Sequence, residues 1–257
     1  MLAGSAEGES PQDRGTQSAP RLSLVVPCYD EEENVGPLIE EAFRVLSGMG
    51  IPFELVVVDD GSKDATLDRL RVERSRHPEL RVIRLAKNTG QSGALAAGFR
   101  AARGEFIATL DGDLQNDPAD IPRLFELVAS GGCDVASGWR RKRRDSFLRR
   151  VSTRVANGVR KVFLRDGMND SASSMKVYRR EVLEHLPVFN GMHRFFPAIA
   201  KMRGFRVVEL PVNHRPRVRG QAKYGLWNRV FRATVDMFGV AWLRGRALRI
   251  EAREVQD

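Results

Sequence analysis

From Arg21 onward the chain alternates short runs of branched apolar residues with stretches whose apolar positions recur every three or four residues. Leu22-Ser-Leu-Val-Val26 and Phe53-Glu-Leu-Val-Val-Val58 predict two strands, the second with an uninterrupted apolar tail of the kind seen when both faces are covered. Arg81 to Leu85, Glu105 to Leu110 and Cys133 to Ser137 predict three more. Between the first two, Asn34 to Met49 sets Leu38, Ala42, Val45, Leu46 and Met49 on one helical face, with Gly50 placed to end the helix. Further helices are predicted over Ala65 to Arg76, Gln91 to Ala102 and Ile121 to Ala129. Strands alternating with helices imply right-handed crossovers and an α/β domain built on a mostly parallel twisted sheet with flanking helices. Ligands of such sheets lie beyond the carboxyl ends of the strands. The loops that follow the strands are therefore where chemistry is expected.

Each of those loops is polar. Pro27-Cys-Tyr-Asp-Glu-Glu-Glu33 follows the first strand, Asp59-Asp-Gly-Ser-Lys-Asp64 the second, Lys87-Asn-Thr-Gly-Gln91 the third and Asp111-Gly-Asp-Leu-Gln115 the fourth. Taken singly, each has an ordinary use: Asp60-Gly61 as a turn, Asp64 as a helix N-cap, Asn88 and Gly90 as a lead into a helix. Four of them on one sheet edge argue for a shared ligand. Asp111 and Asp113 carry the sharpest signal, because two carboxylates that close repel unless a cation sits nearby. Hard divalent cations such as Mg²⁺ and Mn²⁺ suit such oxygen ligands and bind phosphates on their open side. No Gly-x-Gly-x-x-Gly follows the first strand and no Walker Gly-Lys-Ser occurs, so dehydrogenase and P-loop readings lack a phosphate cradle.

Composition narrows the field. With 257 residues and 42% hydrophobic residues the chain can bury a substantial core. A net charge of +9 favours anionic partners: nucleotides, nucleic acid or an acidic membrane surface. Cys28 and Cys133 alone exclude a disulfide scaffold or a thiolate metal cluster; they are read as core thiols of a protein in a reducing cytosol. Residues 1–20 are polar, without the regions of a signal peptide, and are expected to be a disordered leader. The most apolar late stretch, Val230 to Leu243, contains Arg232 and Asp236, so no membrane span is expected.

The loops together resemble those of family 2 glycosyltransferases with the GT-A fold, and more closely the polyprenyl-phosphate sugar synthases, dolichol-phosphate mannose synthase and its bacterial undecaprenyl-phosphate relatives. The similarity runs from Leu22 to about Arg246. Val26-Pro-Cys-Tyr-Asp-Glu-Glu-Glu-Asn34 matches the family's opening segment with Asp30 in place of Asn, Val58 to Asp64 the nucleotide-binding loop, and Asp111 to Pro118 the metal motif with its extra Gln. The resemblance implies a GT-A catalytic domain over 21–225 with a Rossmann-like nucleotide-binding half. It implies Mg²⁺ or Mn²⁺ on Asp111, Asp113 and Gln115. Pro27, Tyr29, Glu31, Asp59, Asp60, Lys87 and Asp111 would contact the nucleotide-sugar donor, and Arg217 and Lys223, in a segment like the family's closing loop, would clamp its diphosphate. Ala222 stands where the family usually has Ser. Asp170 would act beside Asp111 and Asp113 in catalysis, near the sugar or as an orienting group, with a plain strand cap as the competing account. Lys176 occupies a position where the family often has Arg.

The basic segment Trp139 to Arg150 matches the part of these synthases that holds the lipid phosphate, with Arg140, Arg149 and Thr153 at the matching positions. Arginine forks suit phosphate oxygens. A solvated basic loop is the plainer account, and nucleic acid is not expected because no aromatic stacking platform accompanies the arginines. Residues 226–257 form an amphipathic helix and polar tail, in which Trp227, Phe238 and Trp242 alternate with arginines; the helix either packs on the domain or lies in a membrane interface. Many members of the family continue into transmembrane helices at this point, which here would be replaced by peripheral binding or a separate membrane protein. His185, His193 and His214 show no ligand spacing. The expected function is inverting, metal-dependent transfer of a sugar from GDP-mannose or a UDP-sugar to dolichyl or undecaprenyl phosphate, at the cytoplasmic face of a membrane. The alternatives are a family 2 transferase using a saccharide or protein hydroxyl, and a non-catalytic nucleotide-sugar or membrane-surface binding protein.

Overall fold

The computed structural model of the chain describes residues 19–140, 163–164, 166–184, 186–216 and 226–246, the last helix with side chains from residue 234. The first half alternates as the pattern predicts: β1 (Leu22–Cys28), α1 (Val35–Ser47), β2 (Phe53–Asp59), α2 (Thr66–Arg76), β3 (Leu80–Arg84), α3 (Gly90–Ala101), β4 (Phe106–Thr109) and α4 (Ile121–Ala129). β5 (Val135–Trp139), β6 (Lys176–Arg179), α5 (Arg180–Leu183), α6 (Phe196–Met202), β7 (Val207–Pro211) and α7 (Leu226–Arg246) follow. α1 ends at Ser47, before Gly50, which holds the left-handed φ of +63° that turns the chain toward β2.

The strands form one seven-stranded sheet in the order β3-β2-β1-β4-β6-β5-β7. β1 pairs in parallel with β2 and β4, β2 with β3, and β5 with β7. β6 runs antiparallel between β4 and β5, with Lys176 opposite both Thr109 and Ser137. The sheet is thus mostly parallel, as expected, with one reversed strand that hydrophobic periodicity does not announce.

Side chains that alternate along β1 separate two cores. Leu24 and Val26 join Leu38, Leu46, Leu55 and Leu124 under α1 and α4. Val25 joins Val56, Ala94, Phe99, Tyr178 and Phe196 under α3 and α6. Burial on both faces accounts for the apolar runs of β1 and β2. Cys28 and Cys133 are buried free thiols, as expected. A smaller cluster joins α6 to α7 through Phe195, Ala198, Ile199, Met237 and Val240.

Candidate active site

Parallel pairing places the ends of β1, β2 and β4 side by side, and their loops bond to one another. The first two loops are stitched by their own acids. Asp30 Oδ1 accepts from Lys63 N at 2.7 Å, and Asp30 N donates to Ser62 Oγ at 2.9 Å. Glu32 Oε2 accepts from Ala65 N at 2.9 Å, and Glu31 N donates to Thr66 Oγ1 at 2.8 Å. Asp64, expected as a helix N-cap, sits one residue ahead of the capping position and accepts from Thr66 N at 3.0 Å. Glu31 receives Asn34 Nδ2 at 2.6 Å. Pro27 and Tyr29 are half-buried at the same edge.

Asp59 and Asp60 face different work. Asp59 is fully buried, with one oxygen accepting from Ser62 N at 3.0 Å and Oδ2 without a hydrogen-bond partner. Asp60 Oδ1 takes Thr89 N at 2.7 Å and Thr89 Oγ1 at 2.8 Å, and its Oδ2 takes Gly90 N at 2.8 Å. The Asp60 carboxylate therefore ties the second loop to the third. Gly61 permits this closeness: its φ is +71°, and a Cβ there would stand 2.9 Å from Asn88 N. Lys87 is exposed on that third loop.

The fourth loop crosses the end of β1. A Cβ on Gly112 would lie 2.8 Å from Cys28 Sγ and 3.2 Å from the Pro27 carbonyl, so glycine lets the two aspartates pass over the strand. Asp111 Oδ1 accepts from Gln91 Nε2 at 2.6 Å, at the start of α3. The Ser174 hydroxyl also bonds Asp111, and Ser174 in turn receives Asn116 Nδ2 at 2.7 Å. Burial, then the neighbouring charge of Asp113, pushes the Asp111 carboxyl up to about 6. Leu114 and Asp30 are the two non-glycine residues with positive φ among the described residues, 59° and 48°, and both lie in these loops. Such conformations cost energy and concentrate at working sites.

Beyond the aspartates the loop is anchored from outside. Gln115 O accepts from Arg215 N at 2.7 Å, and Asn116 bridges His214. The Arg215 guanidinium reaches Asp117 at 2.9 Å and Glu41 at 2.8 Å. On the other flank, Arg140 Nε and a terminal nitrogen meet the two oxygens of Asp170 at 2.7 and 2.8 Å. Glu209 holds Asp170 N at 2.8 Å. Lys176 is 2% exposed beneath them, donating to Ser173 O; burial draws its ammonium down to about 8, while Asp170 and Asp111 act to keep it charged.

The geometry brings Asp111, Asp113 and Gln115 into one loop and pairs Asp170 with Arg140. Arg149, Thr153, Arg217, Lys223 and His185 lie outside the described residues. His193 bonds Ser92 Oγ at 2.9 Å. Among the described residues no three His, Cys, Asp or Glu side chains gather as a metal cage. The Asp111–Asp113 pair still fits a divalent cation: it is oxygen-rich, and the charge of Asp113 adds to the cost of ionising the buried Asp111. Gln91, Ser174, Glu209 and Arg215 were not singled out as partners of the site by sequence, because nothing in a chain pattern reports which polar side chain turns toward which loop.

The family model described as glycosyl transferase family 2 matches residues 23–187. Dodecaprenyl-phosphate galacturonate synthase of Rhizobium johnstonii is 40% identical over 223 residues, which is 85% of this chain and 66% of that protein. Undecaprenyl-phosphate 4-deoxy-4-formamido-L-arabinose transferase of Edwardsiella ictaluri is 37% identical over 207 residues, 80% of this chain and 63% of that protein. The chain thus spans slightly less than two thirds of the curated relatives it matches. Among solved structures, a Pyrobaculum calidifontis mannosyltransferase with GDP-Man and Mn²⁺ superposes with a TM-score of 0.63 at 23% identity, covering 95% of this chain and 70% of that one. Glucosyl-3-phosphoglycerate synthase of Mycobacterium tuberculosis, with Mn²⁺, UDP and phosphoglyceric acid, gives a TM-score of 0.67 at 19% identity, over 88% of this chain and 78% of that one. These likenesses are of fold, and the fold is the GT-A arrangement that the resemblance of the loop motifs implied.

Proposed function

We propose that this chain, which belongs to glycosyl transferase family 2, moves a sugar from a nucleotide diphosphate sugar to a polyprenyl phosphate, with inversion at the anomeric carbon. The observation that carries the reading is the Asp111–Asp113 pair at the mouth of β4, flanked by the buried Arg140–Asp170 ion pair. The relatives named above are polyprenyl-phosphate sugar enzymes, which supports the acceptor class.

In this reading the loops after β1 and β2 receive the nucleotide. The buried Oδ2 of Asp59, which has Arg84 Nε 3.9 Å away but no hydrogen bond, is an acceptor for a base or ribose donor group, with Pro27, Tyr29 and Glu31 on the same rim and Asp60 and Lys87 shaping the adjoining wall. Asp111, Asp113 and Gln115 would hold Mg²⁺ or Mn²⁺, which when bound supplies Lewis-acid stabilisation to a departing diphosphate. Gln91 and Ser174 orient Asp111 for that task. Asp170 acts on the acceptor side: its bidentate grip sets the Arg140 guanidinium, and Arg140 with Arg149 and Thr153 steers the lipid phosphate. Arg217 and Lys223 complete the diphosphate clamp. An acceptor phosphate is already anionic near neutral pH, so positioning and electrostatics carry the reaction without a strong side-chain base. No helix among the described residues is long and apolar enough to cross a membrane. The proposed location is the cytoplasmic face of a membrane, reached by peripheral contact or through a separate membrane protein.

The test is transfer of radiolabelled sugar from GDP-mannose and UDP-sugars, with Mn²⁺, into a butanol-extractable, acid-labile lipid. Label in that fraction is the expected result. Label only in a water-soluble glycan or a protein would assign a hydroxyl acceptor instead, and nucleotide binding without transfer would leave a binding protein.

A further inference from the structure

Strand register lines up a row of polar residues across the sheet. Thr109 of β4 pairs with Lys176 of β6, Lys176 with Ser137 of β5, and Ser137 with Glu209 of β7. Residues paired across neighbouring strands share a face of the sheet, so these side chains stand on one side of it. The preceding row on that side, Ile107, Tyr178, Val135 and Val207, belongs to the apolar core under α3 and α6. Thr109, Lys176 and Ser137 are buried like that core. Burying a polar row is costly unless its groups find partners. Thr109 Oγ1 donates to Ser174 O at 2.5 Å, and the Lys176 ammonium donates to Ser173 O. Glu209 Oε2 accepts from Asn169 N at 2.7 Å and Asn169 Nδ2 at 3.0 Å, and its Oε1 accepts from Asp170 N at 2.8 Å. The row is a floor on which the turn at 169–174 rests.

That turn needs a floor. Its own backbone bond, from Ser173 N to Asp170 O, is long at 3.3 Å. Its side chain Asp170 nonetheless has an exacting task, because a bidentate grip requires both carboxylate oxygens to face the guanidinium edge at once. Glu209 closes the frame that makes this possible. Arg140 follows the end of β5, and Glu209 sits on β7 directly opposite Ser137 of β5. Holding Asp170 to Glu209 therefore holds it to the strand that leads into Arg140. The Asp170 carboxylate occupies Arg140 Nε and one terminal nitrogen, and among the described residues the other terminal nitrogen makes no hydrogen bond. The far edge of the guanidinium is left for an anion, and its direction is set by where the turn lies.

We propose that Glu209 is a positioning residue for the acceptor phosphate: by fixing Asn169 and Asp170 it aims the Arg140 guanidinium, and so sets affinity for the phosphate without touching it. The assignment rests on the proposed reading of a polyprenyl-phosphate acceptor, and binding measurements separate the two. Isothermal titration calorimetry of the full chain uses citronellyl phosphate, a short isoprenyl phosphate, as the acceptor probe and GDP and UDP with Mn²⁺ as donor-side probes. Glu209→Gln keeps the size of the side chain but turns an amide toward backbone N–H donors. It is expected to weaken citronellyl phosphate at least about tenfold, the scale of one charge-assisted hydrogen bond, and to leave nucleotide affinity within about twofold. Because Glu209 acts through Arg140, adding Glu209→Gln to Arg140→Gln should cost less than about twofold further. A clasp that serves stability alone would weaken both probes together. Equal weakening of both, unchanged affinity for citronellyl phosphate, or losses that multiply in the double variant would overturn the assignment. If Glu209→Gln does not fold, Asn169→Ala decides, since it removes one of the three bonds to Glu209 and keeps the backbone pair. It is expected to weaken citronellyl phosphate about threefold with nucleotide affinity unmoved, and wild-type affinity for both would overturn the assignment. Wild type that binds nucleotide but no citronellyl phosphate would strike the polyprenyl-phosphate reading, and the role of Glu209 with it.

Discussion

Gly112→Ala tests whether the acidic loop depends on its passage over β1. The added methyl would stand 2.8 Å from Cys28 Sγ and 3.2 Å from the Pro27 carbonyl. Cys28 is 2% exposed within the core under α1, so its sulfur has little room to retreat. Overpacking of this size costs about 1–3 kcal/mol. For a chain this long each kcal/mol lowers Tm by roughly 2–4 °C, so a fall of about 2–12 °C is expected. Cys28→Ala removes the sulfur and leaves a small void, at a cost of about 1 kcal/mol. In the double variant the closer of the two contacts is gone while the carbonyl contact remains. The losses should therefore not add: a double-mutant cycle in urea should return a favourable coupling of about 1 kcal/mol. Activity gives a second reading, because a shift of the two aspartates by about 1 Å can cost on the order of a hundredfold in rate. Gly112→Ala should thus lose more turnover than its stability accounts for. A single variant within about 0.5 kcal/mol of wild type, or losses that simply sum, would refute the packing argument.

Asp113→Ala should lower turnover at least about a hundredfold, or roughly 3 kcal/mol of barrier; steady-state activity within about threefold of wild type would remove it from the reacting centre. Asp170→Ala strands the Arg140 guanidinium, whose side chain is only 14% exposed, and should cost about 3–5 kcal/mol in urea denaturation, with a loss under about 1 kcal/mol counting against a structural ion pair. Asp111 gives a pH signature in metal-free protein. Its carboxyl is raised from 3.8 to about 6, so the folded chain holds that proton more tightly than the unfolded one. Its contribution to stability is therefore largest at low pH and falls as pH rises through that window, by up to about 3 kcal/mol. Asp111→Asn escapes the loss, and its stability should gain on wild type steadily from about pH 4 to 7 in chelator-treated samples; a constant difference would show that the carboxyl is not raised.

Those sites differ in how far the chain pattern reveals them, and the reasons are physical. β1 and β2 are legible because burial on both faces demands apolar residues at nearly every position. β6 is not. Its four residues include Lys176 and Arg179, so no apolar run announces a strand, and the burial of Lys176 makes sense only once Ser173 O, Asp111 and Asp170 are beside it. The division of labour between Asp59 and Asp60 is equally hidden. Adjacent and identical in type, they differ because Thr89 and Gly90 fill both oxygens of one, while an oxygen of the other makes no hydrogen bond and has only Arg84 Nε at 3.9 Å. The left-handed turns at Asp30 and Leu114 carry no glycine to announce them. The helix at 226–246 could be read from its periodicity as packed or as interfacial; burial of Met237 beside exposure of Phe238 makes it packed on one side and bare on the other.

The tethers found only in three dimensions explain why this many acids are stable at one edge. Asp30, Glu32, Asp60 and Asp64 each accept backbone N–H groups from a neighbouring loop or their own, so their charges are spent on building the rim. Asp111 has weaker support, a Gln91 amide and a Ser174 hydroxyl, against strong burial and the nearby charge of Asp113. The rim acids are satisfied by the protein itself, and among the described residues the electrostatic cost is concentrated at Asp111, where the proposed cation would relieve it. A site arranged this way keeps its shape before substrate arrives, and under the proposed function any affinity for metal would come from the unfavourable burial of the Asp111 charge beside Asp113 rather than from the number of acids nearby.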